Sequence, residues 1–197
     1  MERIPLWLRP EGLEPLWRLN EQALELFVDI ARLPDGGQAS VSLTPPLREA
    51  FRRVDAATRR RLARGPRLLV DLAFDDLAAW QSPGLARRAK RSGQTLIDDR
   101  VLRVAHAATT LAWHVTRVNR DAAIVLLDVS DSLADLLVRL ELTELRDTAD
   151  RLAGRLAPRW ADRPHLWQHW LSGTAPGPEQ DRNHAIHALQ LGRARIS

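Results

Sequence analysis

Apolar residues recur at helical spacing through most of this chain. Between Leu16 and Leu33, Leu19, Ala23, Leu24, Leu26, Phe27 and Ile30 fall on one stripe, which Pro34 and the Asp35-Gly36-Gly37 turn bring to an end. Thr44 then precedes two prolines, residues a first helical turn accepts, and predicts a helix over "PPLREAFRRV". Asp55 is placed to cap a second short helix, "AATRRRLAR", stopped by Gly65 and Pro66. The run "RLLVDLAFDDLAAW" has no decisive period and reads as helix or strand. Beyond it, "QSPGLARRAKRSGQ" is a basic linker closed by Gly93.

The second half repeats the style of the first. Thr95 and Asp98 form a capping-box-like start to a long helix running to Arg117, with Leu102, Ala105, Ala108, Thr109, Ala112 and Val115 on its buried face. Asp121 then predicts a cap for "AAIVLL", Ser130 for "DSLADLLVRL" and Thr143 for "ELRDTADRLAGRL". Asp162 with Pro164 opens "HLWQHWL", which Gly173 ends. The tail predicts a last helix with basic residues near its C-terminus, where they complement the helix dipole. The pattern therefore predicts an all-α chain with helical units over 1–81 and 95–173, a basic linker over 82–94 and a tail helix over 174–197.

The two units align with each other. Residues 43–76 lie over 129–162 without a gap, placing Thr44 on Ser130, Leu47 on Leu133, Phe51 on Leu137, Ala63 on Ala149 and Phe74 on Trp160, a constant spacing of 86. Upstream, "LNEQALELFVDIARL" lies over "VAHAATTLAWHVTRV" at a spacing of 85, with Ile30 on Val115. Matched caps and apolar positions favour an internal duplication of one long helix and a cluster of short ones over chance agreement between amphipathic helices.

Residues Leu111 to Trp160 resemble the FlhD family, the D subunit of the bacterial flagellar transcriptional master regulator. The resemblance is carried by Ala134, Leu137, Leu140 and Leu142, by Thr148-Ala149, and by Arg159-Trp160 at the position of an Arg-aromatic pair. Two positions depart from it: the turn glycine of the family is Asp128 here, and an aromatic-Arg pair before the turn is Val125-Leu126. Members of that family form homodimers and join a zinc-containing C subunit to activate transcription. The resemblance thus implies two FlhD-like units packed as an intrachain pseudo-dimer in a tandem-duplicated, divergent member. The partners it implies are further copies of the chain, a second regulatory subunit and duplex DNA.

Composition narrows the chemistry. A chain of 197 residues, 45% hydrophobic and 27% charged, has enough apolar material for a substantial core. Its pI of about 10.9 overstates how basic it is, because the excess is +4 and Lys90 is the sole lysine. Without cysteine there is no disulfide, thiolate metal site or thiol nucleophile. The opening "MERIPLWLRPEGLEP" does not read as a signal peptide, and no run approaches the roughly 20 apolar residues of a membrane span, so a cytoplasmic location is expected.

One run concentrates positive charge. Arg52, Arg53, Arg59, Arg60, Arg61, Arg64 and Arg67 surround the single acid Asp55, and Arg87, Arg88, Lys90 and Arg91 add a second cluster in the linker. Guanidinium forks suit phosphate, so both clusters are candidate nucleic-acid contacts; a solvated face is the other reading. Phe27, Ile30, Ala108, Ala112 and Val115 are the candidate surface pairing the two long helices, and Trp113, Trp167 and Trp170 are candidate interface anchors. His165 with His169 and His184 with His187 have helical spacing, but without an intervening Glu in the first pair they read as polar decoration, and no metal or cofactor is expected.

Catalysis has little to stand on: "LPDGGQAS" lacks the lysine of a phosphate loop, and Asp75-Asp76 and Asp98-Asp99 fit ordinary capping. No enzymatic activity and no catalytic residue are expected. The stretch "LLDVSDSLADLL" mimics the turn and second helix of a helix-turn-helix, yet Asp131 and Asp135 give it the wrong charge for DNA. The expected function is an FlhD-like transcription regulator or regulatory subunit, the alternative a non-DNA-binding adaptor using the Trp-rich C-terminal region.

Overall fold

Leu13 extends the first apolar stripe by one turn, so the opening helix, α1 (Pro10–Arg32), begins earlier than the stripe from Leu16 alone suggests. A computed structural model describes residues 10–34, 41, 43–82 and 96–172; the linker cluster and the tail helix lie outside them. Thr44 precedes α2 (Pro45–Arg52), and the Asp55 carboxylate accepts the Thr58 N–H at 2.6 Å to open α3 (Ala56–Ala63). The ambiguous run is neither one helix nor one strand. Strand β1 (Val70–Asp71) is followed by a turn in which Asp71 accepts the Phe74 N–H and Ala73 is left-handed at φ 54°. Asp76 then caps α4 (Leu77–Gln81).

In the second half, α5 (Leu96–Val118) ends one residue before Asn119, whose side chain accepts the Ala122 N–H and opens α6 (Arg120–Ala122). Asp121 is inside that turn and caps nothing. The helix widens into a π turn over Ala123–Leu127 and stops at Asp128, left-handed at φ 56° and ψ 36°. Ser130 caps α7 (Asp131–Arg139), accepting the Leu133 N–H at 3.3 Å. Thr143, by contrast, does not cap α8 (Leu142–Leu152): Glu144 reaches back to the Glu141 N–H at 2.9 Å, so the boundary falls two residues earlier. A 3₁₀ turn, Ala153–Arg155, leads to β2 (Ala157–Pro158), and α9 (Pro164–Leu171) begins at Pro164 with Arg163, not Asp162, before it. The fold is mostly helical, with β1 and β2 forming the only sheet among the described residues. No helix among them is long and apolar enough to cross a membrane.

The long helices organise the core. α1 packs on α2, α3 and α5, while α5 packs on α7 and α8. The last helix of each half finds its main helical partners in the other half, α9 on α2 and α4 on α7 and α8. An aromatic column follows from the first of these contacts: Phe27 meets Phe51 at 5.5 Å between ring centres, and Phe51 meets Trp167 at 5.0 Å. β1 and β2 pair antiparallel with Val70 opposite Pro158 and Asp71 opposite Ala157.

Elements and burial recur along the chain. Leu16, Leu19, Asn20, Ala23, Leu24, Phe27 and Ala31 are buried in α1, and the residues 85 positions on, Val101, Val104, Ala105, Ala108, Thr109, Ala112 and Thr116, are buried in α5. The first residues of α2 and α7, 45 and 131, and of α3 and α8, 56 and 142, lie 86 apart. β1 and β2 begin 87 apart, at 70 and 157, as do α4 and α9, at 77 and 164. The gapless alignment fails in that last stretch: Trp160 shares its left-handed backbone with Ala73, not with Phe74, because the second half carries one extra residue before its strand.

Candidate functional site

The seven candidate arginines of the first half do not form one uniform surface. Arg61 donates to the Trp170 carbonyl at 2.8 Å, closing the C-terminus of α9, and Arg52 donates to the Ala31 carbonyl at 2.7 Å near the end of α1. Arg53 pairs with Glu49 one turn back at 2.6 Å. Arg59, Arg60, Arg64 and Arg67 have no side-chain hydrogen bond or ion pair among the described residues. Arg60 and Arg64 line an open groove of about 470 Å³ with Trp17, Ala63, Arg18, Glu11, Glu14 and Glu21. The α1 glutamates therefore lie across the groove from two of the free arginines, a counter-charge that the run of arginines itself does not disclose. The linker residues Arg87, Arg88, Lys90 and Arg91 lie outside the described residues.

The candidate pairing residues mostly lie inside. Phe27, Ile30, Ala108 and Ala112 are fully buried, and Val115 is half-buried. Arg100 of α5 makes an ion pair with Asp29 of α1, a link between the long helices that their apolar stripes do not reveal. Trp113 ties α5 to its own half instead, donating to the Leu140 carbonyl at 2.8 Å with Arg117 stacked 4.9 Å from its ring centre. Trp167 is completely buried and donates to the Arg159 carbonyl at 2.6 Å; Trp170 packs edge-on against it and against Trp160. Trp167 is thus spent on packing between the halves, against Phe51, while the Trp170 ring packs within its own half. His165 and His169 are exposed, and among the described residues no three His, Asp or Glu side chains are grouped as metal ligands. His184 and His187 lie outside the described residues.

Two buried polar residues have roles that the sequence reading did not assign. Asn20, fully buried, donates to the Arg67 carbonyl at 2.8 Å and the Ala63 carbonyl at 3.3 Å and accepts the Leu69 N–H at 2.8 Å. Its signal was its place in an apolar stripe, where a polar residue needs partners. Arg159, 5% exposed, donates to the Leu127 carbonyl at 2.5 Å and pairs with Asp128 at 3.0 Å. Burial holds its pKa below the usual arginine value, against the opposing pull of Asp128 and Asp71. Arg159 closes the π turn and anchors Asp128, which reaches its left-handed conformation with a charge partner.

The acidic counterpart of α2–α3 has a different character. Arg120 holds Asp131 and Asp135 at 2.8 and 3.1 Å; despite its partial burial, those two carboxylates raise its pKa. The α7–α8 corner next to them leaves Val138 and Leu142 exposed, the latter to 65%. No family model, curated protein or solved structure matches the chain.

Proposed function

We propose that the chain is a non-catalytic, cytoplasmic transcription regulator, or the regulatory subunit of one, built from two FlhD-like units paired within one polypeptide. The first unit meets duplex phosphate through arginines of α2 and α3. The observation that carries the phosphate contact is the set of four arginines, Arg59, Arg60, Arg64 and Arg67, that have no partner among the described residues while their neighbours Arg52, Arg53 and Arg61 do.

Three features support the pairing. The β ladder maps onto itself when 70 and 157, and 71 and 158, are exchanged. Burial recurs along the two long helices. The last helix of each half packs on the short helices of the other. Each of these features is what an isologous dimer would give if its two copies were joined by the linker.

Titration of mixed-sequence duplex DNA tests the reading. Binding is expected at low salt and to fall steeply as salt rises, and Arg60→Glu with Arg64→Glu is expected to reduce the salt slope by about 2. Absence of binding at low salt, or binding indifferent to both substitutions, would remove the DNA contact. A second reading, a protein adaptor without nucleic acid, is favoured by the exposed Val138 and Leu142. Because Trp167 is buried, its surface is the α7–α8 corner rather than the Trp-rich C-terminal helix.

A further inference from the structure

Positions that correspond in the two halves carry inverted charge. Residues 45–64, spanning α2 and α3, hold seven arginines against Glu49 and Asp55, a balance of +5. Residues 131–150, spanning α7 and α8 at a spacing of 86, hold six acids against Arg139 and Arg146, a balance of −4. Arg120 neutralises part of the α7 end through Asp131 and Asp135. Asp150 is engaged by His106 of α5 at 2.7 Å, so the remaining surplus is at the corner and along α8, in Glu141, Glu144 and Asp147.

The same corner is where apolar surface is left uncovered. Among the described residues the large apolar side chains that remain exposed are Val118, Val138 and Leu142, at 64%, 45% and 65%. Arg117, next to Val118, reaches the Val138 carbonyl at 3.3 Å, which puts the end of α5 beside the end of α7. The positions corresponding to Val138 and Leu142 in the first half are Arg52 and Ala56. An apolar corner with an acidic surround thus occupies one half, and an arginine-rich corner the other.

We infer that a second copy of this chain is the occupant of the α7–α8 corner, docking there with its arginine-rich α2–α3 face. This inference rests on the proposed pairing of the halves, which makes the two faces equivalent in place and opposite in charge. Arginine stems suit this contact: they lie over apolar side chains such as Leu142 while their heads meet carboxylates such as Asp147. Contact between two α7–α8 corners is disfavoured because like-charged carboxylates would face each other. The resulting contact is head-to-tail, so it extends into rings or filaments unless something blocks it. It also draws on the arginines proposed to meet DNA, so duplex and a second copy compete for one face.

Sedimentation of the full chain, with two variants that weaken one face each, tests the inference. Wild type is expected to sediment as dimers and larger species at about 0.05 M salt and as monomers at about 0.5 M. Leu142→Arg puts a positive charge in place of the exposed apolar side chain at the docking corner and Arg60→Glu weakens the basic face; each is expected to weaken self-association roughly tenfold or more. Both positions are exposed, and circular dichroism melts should match wild type. The decisive arm mixes the variants. Arg60→Glu retains the acidic corner and Leu142→Arg retains the basic face, so together they are expected to form one-to-one dimers that grow no further. A chain that is monomeric at every salt concentration overturns the inference. So does association untouched by either variant, or failure of the mixture to pair. Duplex titration of the wild-type chain keeps the two proposals apart: DNA binding without self-association rejects this one alone, and self-association without DNA binding rejects only the phosphate contact.

Discussion

Replacing Asn20 by leucine should be among the costliest single substitutions in the first half, although no surface or candidate contact residue changes. The side chain is fully buried and joins three backbone groups at and beyond the end of α3: the carbonyls of Ala63 and Arg67 and the N–H of Leu69. Leucine fits a similar volume but leaves those groups without their partner. The two 2.8 Å bonds count most, and a buried backbone group stripped of its partner costs about 1–3 kcal/mol. Added apolar burial returns about 1–2 kcal/mol. A net loss of about 2–4 kcal/mol is a large share of the roughly 5–15 kcal/mol typical of a folded domain. Urea unfolding is the assay: the midpoint should fall by about 1–2 M with an unchanged slope. Asn20→Asp should be worse than leucine, since it retains the acceptor for Leu69 but buries a charge against two carbonyl oxygens. A loss below about 0.5 kcal/mol for Asn20→Leu, at constant slope, would refute the reasoning.

Other expectations follow from the same contacts. Trp167→Phe removes the indole N–H from the Arg159 carbonyl, and Trp80→Phe removes it from the Leu72 and Ala73 carbonyls; each should cost about 1–3 kcal/mol in denaturant unfolding. Ala73→Gly should stabilise by about 0.5–1 kcal/mol, seen as a raised melting temperature, because φ 54° is strained for any residue with a Cβ. Asp55 carries a pH signature. The backbone N–H of Thr58 holds its carboxyl below the ordinary 3.8, so the folded-state value is the lower one and its stabilisation is present above 3.8. The melting-temperature difference between wild type and Asp55→Ala should therefore be full at neutral pH and close as the pH falls below about 4.

Local chemistry was the legible part of the fold. Asp55 was readable as a cap because it precedes its helix with nothing competing nearby. Ser130 caps α7 although Asp128 stands two residues earlier, because Asp128 is left-handed at the end of the π turn. Asp121 and Thr143 were misplaced because Asn119 and Glu141 stand two residues earlier, and the end of the preceding helix decides which of two competent residues lies at the boundary. The periodic stripes located the buried faces of α1 and α5, since burial follows the 3.6-residue repeat. The candidate surface was less readable for a physical reason. Arg60 and Arg61 are adjacent and chemically identical, yet one lines an open groove and the other closes a helix 109 positions away. Similarly, nothing in "RLLVDLAFDDLAAW" shows that its first residues pair with a strand near 157.

The crossed placement of α4 and α9 has a consequence for how the chain can be made and broken. Each half supplies the lid of the other: α9 covers α2 and carries Trp167 to Phe51, while α4 covers α7 and α8. A fragment ending before α5 would keep the arginines but expose the Phe27–Phe51 floor, and the complementary fragment would have no helix over α7. Neither half is then a module that can be lent to another protein. The covalent link from 83 to 95 supplies chiefly effective concentration, turning what would be an obligate encounter between two unstable pieces into a single folding event whose yield does not depend on dilution.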